Sequence, residues 1–149
     1  MLLPGQAHIL SANDGRIVDL GVMRMRVLAA GEETTGGLFT LFDCTGGAGA
    51  WTVPHLHEGM EESFFVVDGE FTFTLGEKEI PAGPGSYVLV PRGTRHTFAA
   101  AAPGSRVLVL MVPGGLEGMF FELSELGADA LRDPAERAAV AARYDSVPQ

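Results

Sequence analysis

The chain has 149 residues, 46% of them hydrophobic and 19% charged, enough to bury one core and too apolar for a disordered protein. Its formal net charge of −9 excludes the basic surface that nucleic acid or an anionic membrane demands. A single cysteine, Cys44, rules out an internal disulfide and a thiolate metal cluster. No run approaches the roughly 20 apolar residues that span a bilayer. The first residues, MLLPGQAHIL, carry no basic segment, so the expectation is one cytoplasmic domain over residues 1–149.

In chain order, Val22 to Val27 (VMRMRV) puts Met23, Met25 and Val27 on one face and Arg24 and Arg26 on the other, which is strand periodicity. Leu38 to Phe42 reads as a second strand. Gly46-Gly47-Ala48-Gly49 lies between strands and carries no lysine, so it is not a phosphate loop. Ser63 to Val67 runs into Asp68-Gly69 and then a strand to Leu75; Asp-Gly between two such runs predicts a hairpin. Gly76-Glu77 is a further turn and Pro81 to Gly85 a loop. Tyr87 to Val90, Thr94 to Phe98 and Val107 to Val112 complete an all-β core over about residues 20–113, punctuated as in a barrel or sandwich. The character then changes. Asp133-Pro134-Ala135-Glu136 stands in capping-box order before an alanine-rich run to about Tyr144, and a shorter helix is expected to start at Ser124. The helical segment spans about 123–145, with no second domain or internal repeat.

Four histidines occur in the chain, two of them in the stretch PHLHEGMEE. Strand alternation sends His55 and His57 to the same side, and imidazole ligates Zn, Fe, Ni, Cu and Co. Pro54 keeps Val53 extended. A carboxylate would sharpen the site, and Glu58, Glu61 and Glu62 all lie near. Glu58 has the wrong parity for a strand continuing straight from His57. Glu62 shares its face with Phe64 and Val66, Glu61 with Ser63 and Phe65, and parity alone does not choose between them. His96, in PRGTRHTF, meets the pair only if the sheet closes. His8 reads as a surface residue, and Cys44, with no histidine near it in sequence, as a small buried one.

These residues carry a resemblance to the cupins. The family's first motif is a glycine, five residues, His-x-His, three or four residues, a glutamate, six residues and a glycine; Gly49, His55, His57, Glu62 and Gly69 fit it with the four-residue spacing, which selects Glu62 over Glu61. In the second motif Gly85, Pro91, Gly93 and His96 fit, while Ala100 replaces an asparagine that is not a metal ligand. The fifteen residues between the motifs match the spacer of compact microbial cupins. The resemblance implies a jelly-roll-like β-barrel with a short C-terminal helical segment. It implies one divalent transition metal per chain (Fe, Ni, Mn, Co or Zn), held by His55, His57, Glu62 and His96. Four ligands leave about two positions of a six-coordinate metal for a substrate oxygen and O₂ or water. The set is similar to that of quercetinase-like dioxygenases, in which the carboxylate also accepts an enolic proton, so Glu62 is the expected catalytic base.

Trp51, Val53, Phe64, Val66 and Phe98 share the ligands' parity. They predict an apolar, aromatic pocket for a small phenolic or polyketide-like molecule. Met119, Phe120, Phe121 and the last helix are placed either over the barrel mouth or in a dimer contact. Arg92 and Arg95 flank the Pro-x-Gly turn, either reaching a substrate carboxylate or solvated, and Met60 lies between ligands as a gap-filler. Two alternatives stand beside the dioxygenase: a redox-neutral polyketide cyclase or isomerase, and a non-catalytic small-molecule-binding cupin. Cupin barrels often pair through their sheets, so a homodimer is expected.

Overall fold

Alternation of buried and exposed side chains builds two facing antiparallel sheets in the computed structural model, which describes residues 5–149. The first sheet runs in the order β1 (Ile17–Asp19), β2 (Met23–Ala29), β3 (Thr40–Gly46), β11 (Ser105–Val112), β6 (Glu61–Asp68) and β9 (Tyr87–Val90). The second runs β12 (Val147–Pro148), β5 (His55–Leu56), β10 (His96–Ala100), β7 (Phe71–Leu75) and β8 (Lys78–Ala82), with β4 (Gly49–Ala50) also on β10. Every second residue of β11, from Ser105 to Met111, is buried, as are Met23 and Met25 of β2 and Phe71 and Phe73 of β7. Phe64 of the first sheet lies 4.9 Å from Phe73 and 5.0 Å from Phe98 of the second, and those two rings stack at 5.5 Å. These contacts close one end of the barrel with aromatic packing.

Asp68-Gly69 does not close a hairpin. β6 pairs with β11 and β9, whereas β7 pairs with β10 and β8, so the turn carries the chain from one sheet to the other. Asp68 Oδ1 accepts from Gly69 N at 2.9 Å. Gly69 has φ +78, and a Cβ there would come within 2.3 Å of Ser105 Oγ. The tight hairpin lies one turn later at Gly76-Glu77, with Leu75 opposite Lys78. Its second strand, β8, takes in Pro81 from the expected loop. It can do so because β8 is a sheet edge, where a missing N–H breaks no ladder.

Strand β3 starts later than expected and absorbs Gly46, because β2 and β11 pair with it along its length. Asp43 on β3 accepts from Arg106 of β11 at 2.8 and 2.9 Å and from Arg26 of β2 at 3.3 Å, linking three strands.

The C-terminal segment holds α1 (Glu117–Glu125), α2 (Ala128–Arg132) and α3 (Pro134–Ala141). The expected helix start at Ser124 is instead the last turn of α1. That helix begins where the buried Glu117 carboxylate accepts from Gly115 N at 2.8 Å and Thr40 Oγ1 at 2.7 Å, a favourable place for negative charge. Asp133 caps α3 by accepting from Ala135 N at 2.9 Å. Its own N–H goes to Ala130 O at 3.1 Å, which leaves no donor for Glu136 to complete the capping box. Leu116, Met119, Leu123 and Val140 bury against the barrel. Among the described residues no helix is long and apolar enough to cross a membrane.

Gly69→Ala should destabilise the fold by about 2 kcal/mol or more, from left-handed strain plus the clash with Ser105. Chemical denaturation reads the loss; unchanged stability would remove the corner's special role.

Candidate metal centre

The closed barrel brings together residues 41 positions apart. His55 and His96 face each other across the β5–β10 ladder, His57 follows two residues after His55, and Glu62 opens β6 from the opposite sheet. Donor atoms of His55, His57, Glu62 and His96 all lie within 4.8 Å of one another. His57, Glu62 and His96 are buried, and His55 is 9% exposed.

Each imidazole is oriented from behind by a backbone carbonyl. His55 Nδ1 donates to Val53 O at 2.8 Å, His96 Nδ1 to Thr94 O at 2.8 Å, and His57 Nδ1 to Asp145 O. A carbonyl oxygen only accepts, so each Nδ1 carries a proton and each Nε2 turns inward toward the cluster. Glu62 Oε2 lies 2.7 Å from His57 Nε2 and 3.6 Å from His96 Nε2. His96 Nε2 is buried with no hydrogen-bond partner. Three aimed nitrogens, one of them an orphan, beside a buried carboxylate fit a divalent transition metal.

The electrostatics agree. Burial works to raise the Glu62 pKa, but the hydrogen bond to His57 and the neighbouring His96 imidazole outweigh it and hold it at about 2. Burial acts to lower the His57 pKa, and the Glu62 hydrogen bond overturns that and raises it. His55 is pushed down to about 4, first by burial and then by the neighbouring His96. It therefore stays neutral at physiological pH, as a ligand must.

Glu61 points outward. Arg92 grips it through two hydrogen bonds of 2.8 and 2.7 Å, which uses an arginine that the sequence offered to a substrate carboxylate. Glu58 is exposed. Arg95 is exposed, with Nη1 3.4 Å from Gly76 O. His8 is exposed and Cys44 fully buried.

The centre opens onto a cavity of about 630 Å³. Trp51 and Phe98 lie on its wall, and Val53, 56% exposed, sits at its rim. Phe64 and Val66 do not line it. Both are 0% exposed and packed at the closed end of the barrel. Facing inward is a matter of parity, whereas reaching the cavity is a matter of depth. Met60 is also buried away from the wall. The methionines that do line it are Met23, Met25, Met111 and Met119. Met119, Phe120 and Leu123 of α1 and Ala138 and Ala141 of α3 also line it. Phe121 instead turns to Arg16, whose guanidinium lies 3.7 Å from the ring centre.

Asp145 is the residue that motif reading misses. Its carbonyl orients His57, while its carboxylate accepts from Glu58 N at 2.7 Å and Gly59 N at 2.8 Å, holding the loop between two ligands. Val147 and Pro148 of β12 then pair with β5, and Gln149 N donates to Pro54 O at 3.0 Å. No spacing rule in the sequence joins position 145 to position 57.

Comparison with known proteins agrees with this architecture. Residues 44–113 match the cupin domain family. The quercetin 2,3-dioxygenase of Bacillus subtilis is 28% identical over 118 residues, which cover 79% of this chain and 35% of that protein. The chain thus spans about a third of the length of that relative. Among solved structures, KdgF from Halomonas sp. superposes with a TM-score of 0.64 at 21% identity, covering 72% of this chain and 96% of the other. The polyketide cyclase RemF from Streptomyces resistomycificus gives 0.61 at 20% identity, covering 72% and 80%. At these identities the two structures speak for the fold. With both motifs, the barrel and the three-histidine, one-glutamate cluster in place, the chain has a cupin-like β-barrel fold, matches the cupin domain family over residues 44–113 and is similar in sequence to the quercetin dioxygenases.

Proposed function

We propose that this protein is a metal-dependent dioxygenase of the quercetinase kind, acting on a small aromatic, enolic molecule. The observation that carries the reading is Glu62. Among the described residues it is the one carboxylate on the wall of an otherwise largely apolar cavity, and it stands among three aimed imidazoles. The likeness to the Bacillus subtilis enzyme supports the same chemistry.

A divalent transition metal held by His55, His57, Glu62 and His96 would supply Lewis acidity and, where redox-active, a path for electrons. The chain's own residues do the rest. Glu62, kept ionised at neutral pH, accepts the hydroxyl proton of an enolic substrate at its carboxylate. Trp51, Phe98 and Phe120 offer aromatic faces to a planar body. The cavity volume falls in the range of small-molecule sites, about 300–1,000 Å³, and α1 and α3 contribute apolar side chains to its wall.

The test is elemental analysis of protein purified without chelator, paired with oxygen uptake on a panel of flavonols. About one redox-active metal per chain with oxygen consumed supports the dioxygenase. Stoichiometric zinc with no uptake points to a redox-neutral cyclase or isomerase, and absence of metal to a binding protein.

Glu62→Ala should lose both metal and turnover, while Glu61→Ala should keep its metal because its partner is Arg92 outside the barrel. Equal metal loss from the two would undo the ligand assignment. Asp145→Ala, which frees the amides of Glu58 and Gly59, should weaken metal binding by about tenfold or more, the usual effect of removing a support behind the ligands. Competition with a chromogenic chelator measures it, and unchanged affinity would show the loop to be held by other contacts.

A further inference from the structure

The cavity wall carries one cationic side chain among the described residues, Arg137 of α3. A second recess of about 570 Å³ lies outside it, between the β1–β2 turn and the three helices. It shares Leu20, Val22, Leu131 and Arg137 with the inner cavity. Arg137 therefore borders both spaces, on the neck of lining that they share. Its Nη1 donates to Leu131 O at 2.6 Å, which pins the side chain to the end of α2. A guanidinium has five N–H donors, so this bond leaves others for a ligand.

Its ionic surroundings are unusual for this chain. Apart from Arg95, every other arginine has a carboxylate at 3.9 Å or closer. Arg132 and Asp19, which also line the outer recess, are paired with Asp129 and Arg24. Arg137 is half-buried beside Leu20, Val22 and Leu131, and among the described residues no carboxylate forms an ion pair with it. Capping α2 accounts for one N–H but not for a guanidinium placed on a ligand cavity without a counter-ion. The net charge of −9 makes the rest of the surface unwelcoming to anions, so an anionic ligand needs a local cation.

We infer that Arg137 is a specificity residue that selects ligands with an apolar body and one acidic group, the anion resting at the neck while the body fills the cavity. The inference rests on the cavity being the substrate site and does not depend on oxygen chemistry. A charge-assisted hydrogen bond to an anion is among the stronger contacts available to a protein.

Two fluorescent probes test this directly. 1-Anilinonaphthalene-8-sulfonate and N-phenyl-1-naphthylamine share their rings, and only the first carries an anion. The intact protein should bind the sulfonate about tenfold more tightly than the neutral probe. Arg137→Gln should erase that preference while leaving the neutral probe's affinity in place, which also shows that the variant is folded. Arg137→Lys should retain part of the preference, and Ala141→Trp, which fills the cavity, should weaken both probes. No preference in the intact protein, or an Arg137→Gln variant that binds the sulfonate as well as before or weakens both probes alike, would overturn the inference. Oxygen uptake on flavonols is read separately, so failure of the dioxygenase reading leaves this result standing.

Discussion

A carboxylate buried in an apolar barrel stays charged only if donors surround it, and the centre is organised around that constraint. Glu62 is ionised because His57 and His96 lean on it from the opposite sheet. Those rings can do so only because backbone carbonyls fix their far nitrogens. Remove the carbonyls and the imidazoles could turn over. Remove the imidazoles and the carboxylate would take up a proton.

Strand β10 is the element through which this arrangement is built. It pairs with β7 along its length and with both β4 and β5 on its other edge, so it sets His96 opposite His55 and Phe98 beside Trp51. One strand thus carries a ligand and a cavity wall on alternate residues. The barrel divides its interior by depth. Phe64, Phe73 and Phe98 fill one end densely, and methionines line the wide end. Dense rings give rigidity behind the ligands, while soft thioethers allow an irregular guest.

How much of this is legible in the sequence follows from the range of the forces involved. The cluster is legible because its members follow short, strict spacing: His55, His57, Glu62 and His96 converge as the two motifs lead one to expect, and the barrel follows from those motifs and the turn residues. Two-residue alternation separates inside from outside, so it groups Phe64 and Val66 with Phe98; it cannot say which of them lie beyond the reach of a guest. Asp68-Gly69 supplies the backbone freedom for a turn, but whether the flanking strands pair is decided by β9, β10 and β11 arriving from elsewhere. Glu61 and Glu62 differ by which one finds Arg92, a contact 31 residues distant. Asp145 is silent in the sequence because its role is exerted through a backbone carbonyl and two loop amides, neither of which constrains a neighbouring residue type.

The tether at Asp145 also has a consequence in time. Synthesis runs from the N-terminus, so both histidines of PHLHEGMEE leave the ribosome long before the residue that orients the second of them. β6 can pair with β11, and β7 with β10, before that residue is made, with His55 set opposite His96 as the tie between β5 and β10. Only when residues 145–149 arrive do β12 and the Asp145 carboxylate fasten β5 and its loop. The segment that carries His55 and His57 is thus fastened by a residue 88 positions beyond the second of them.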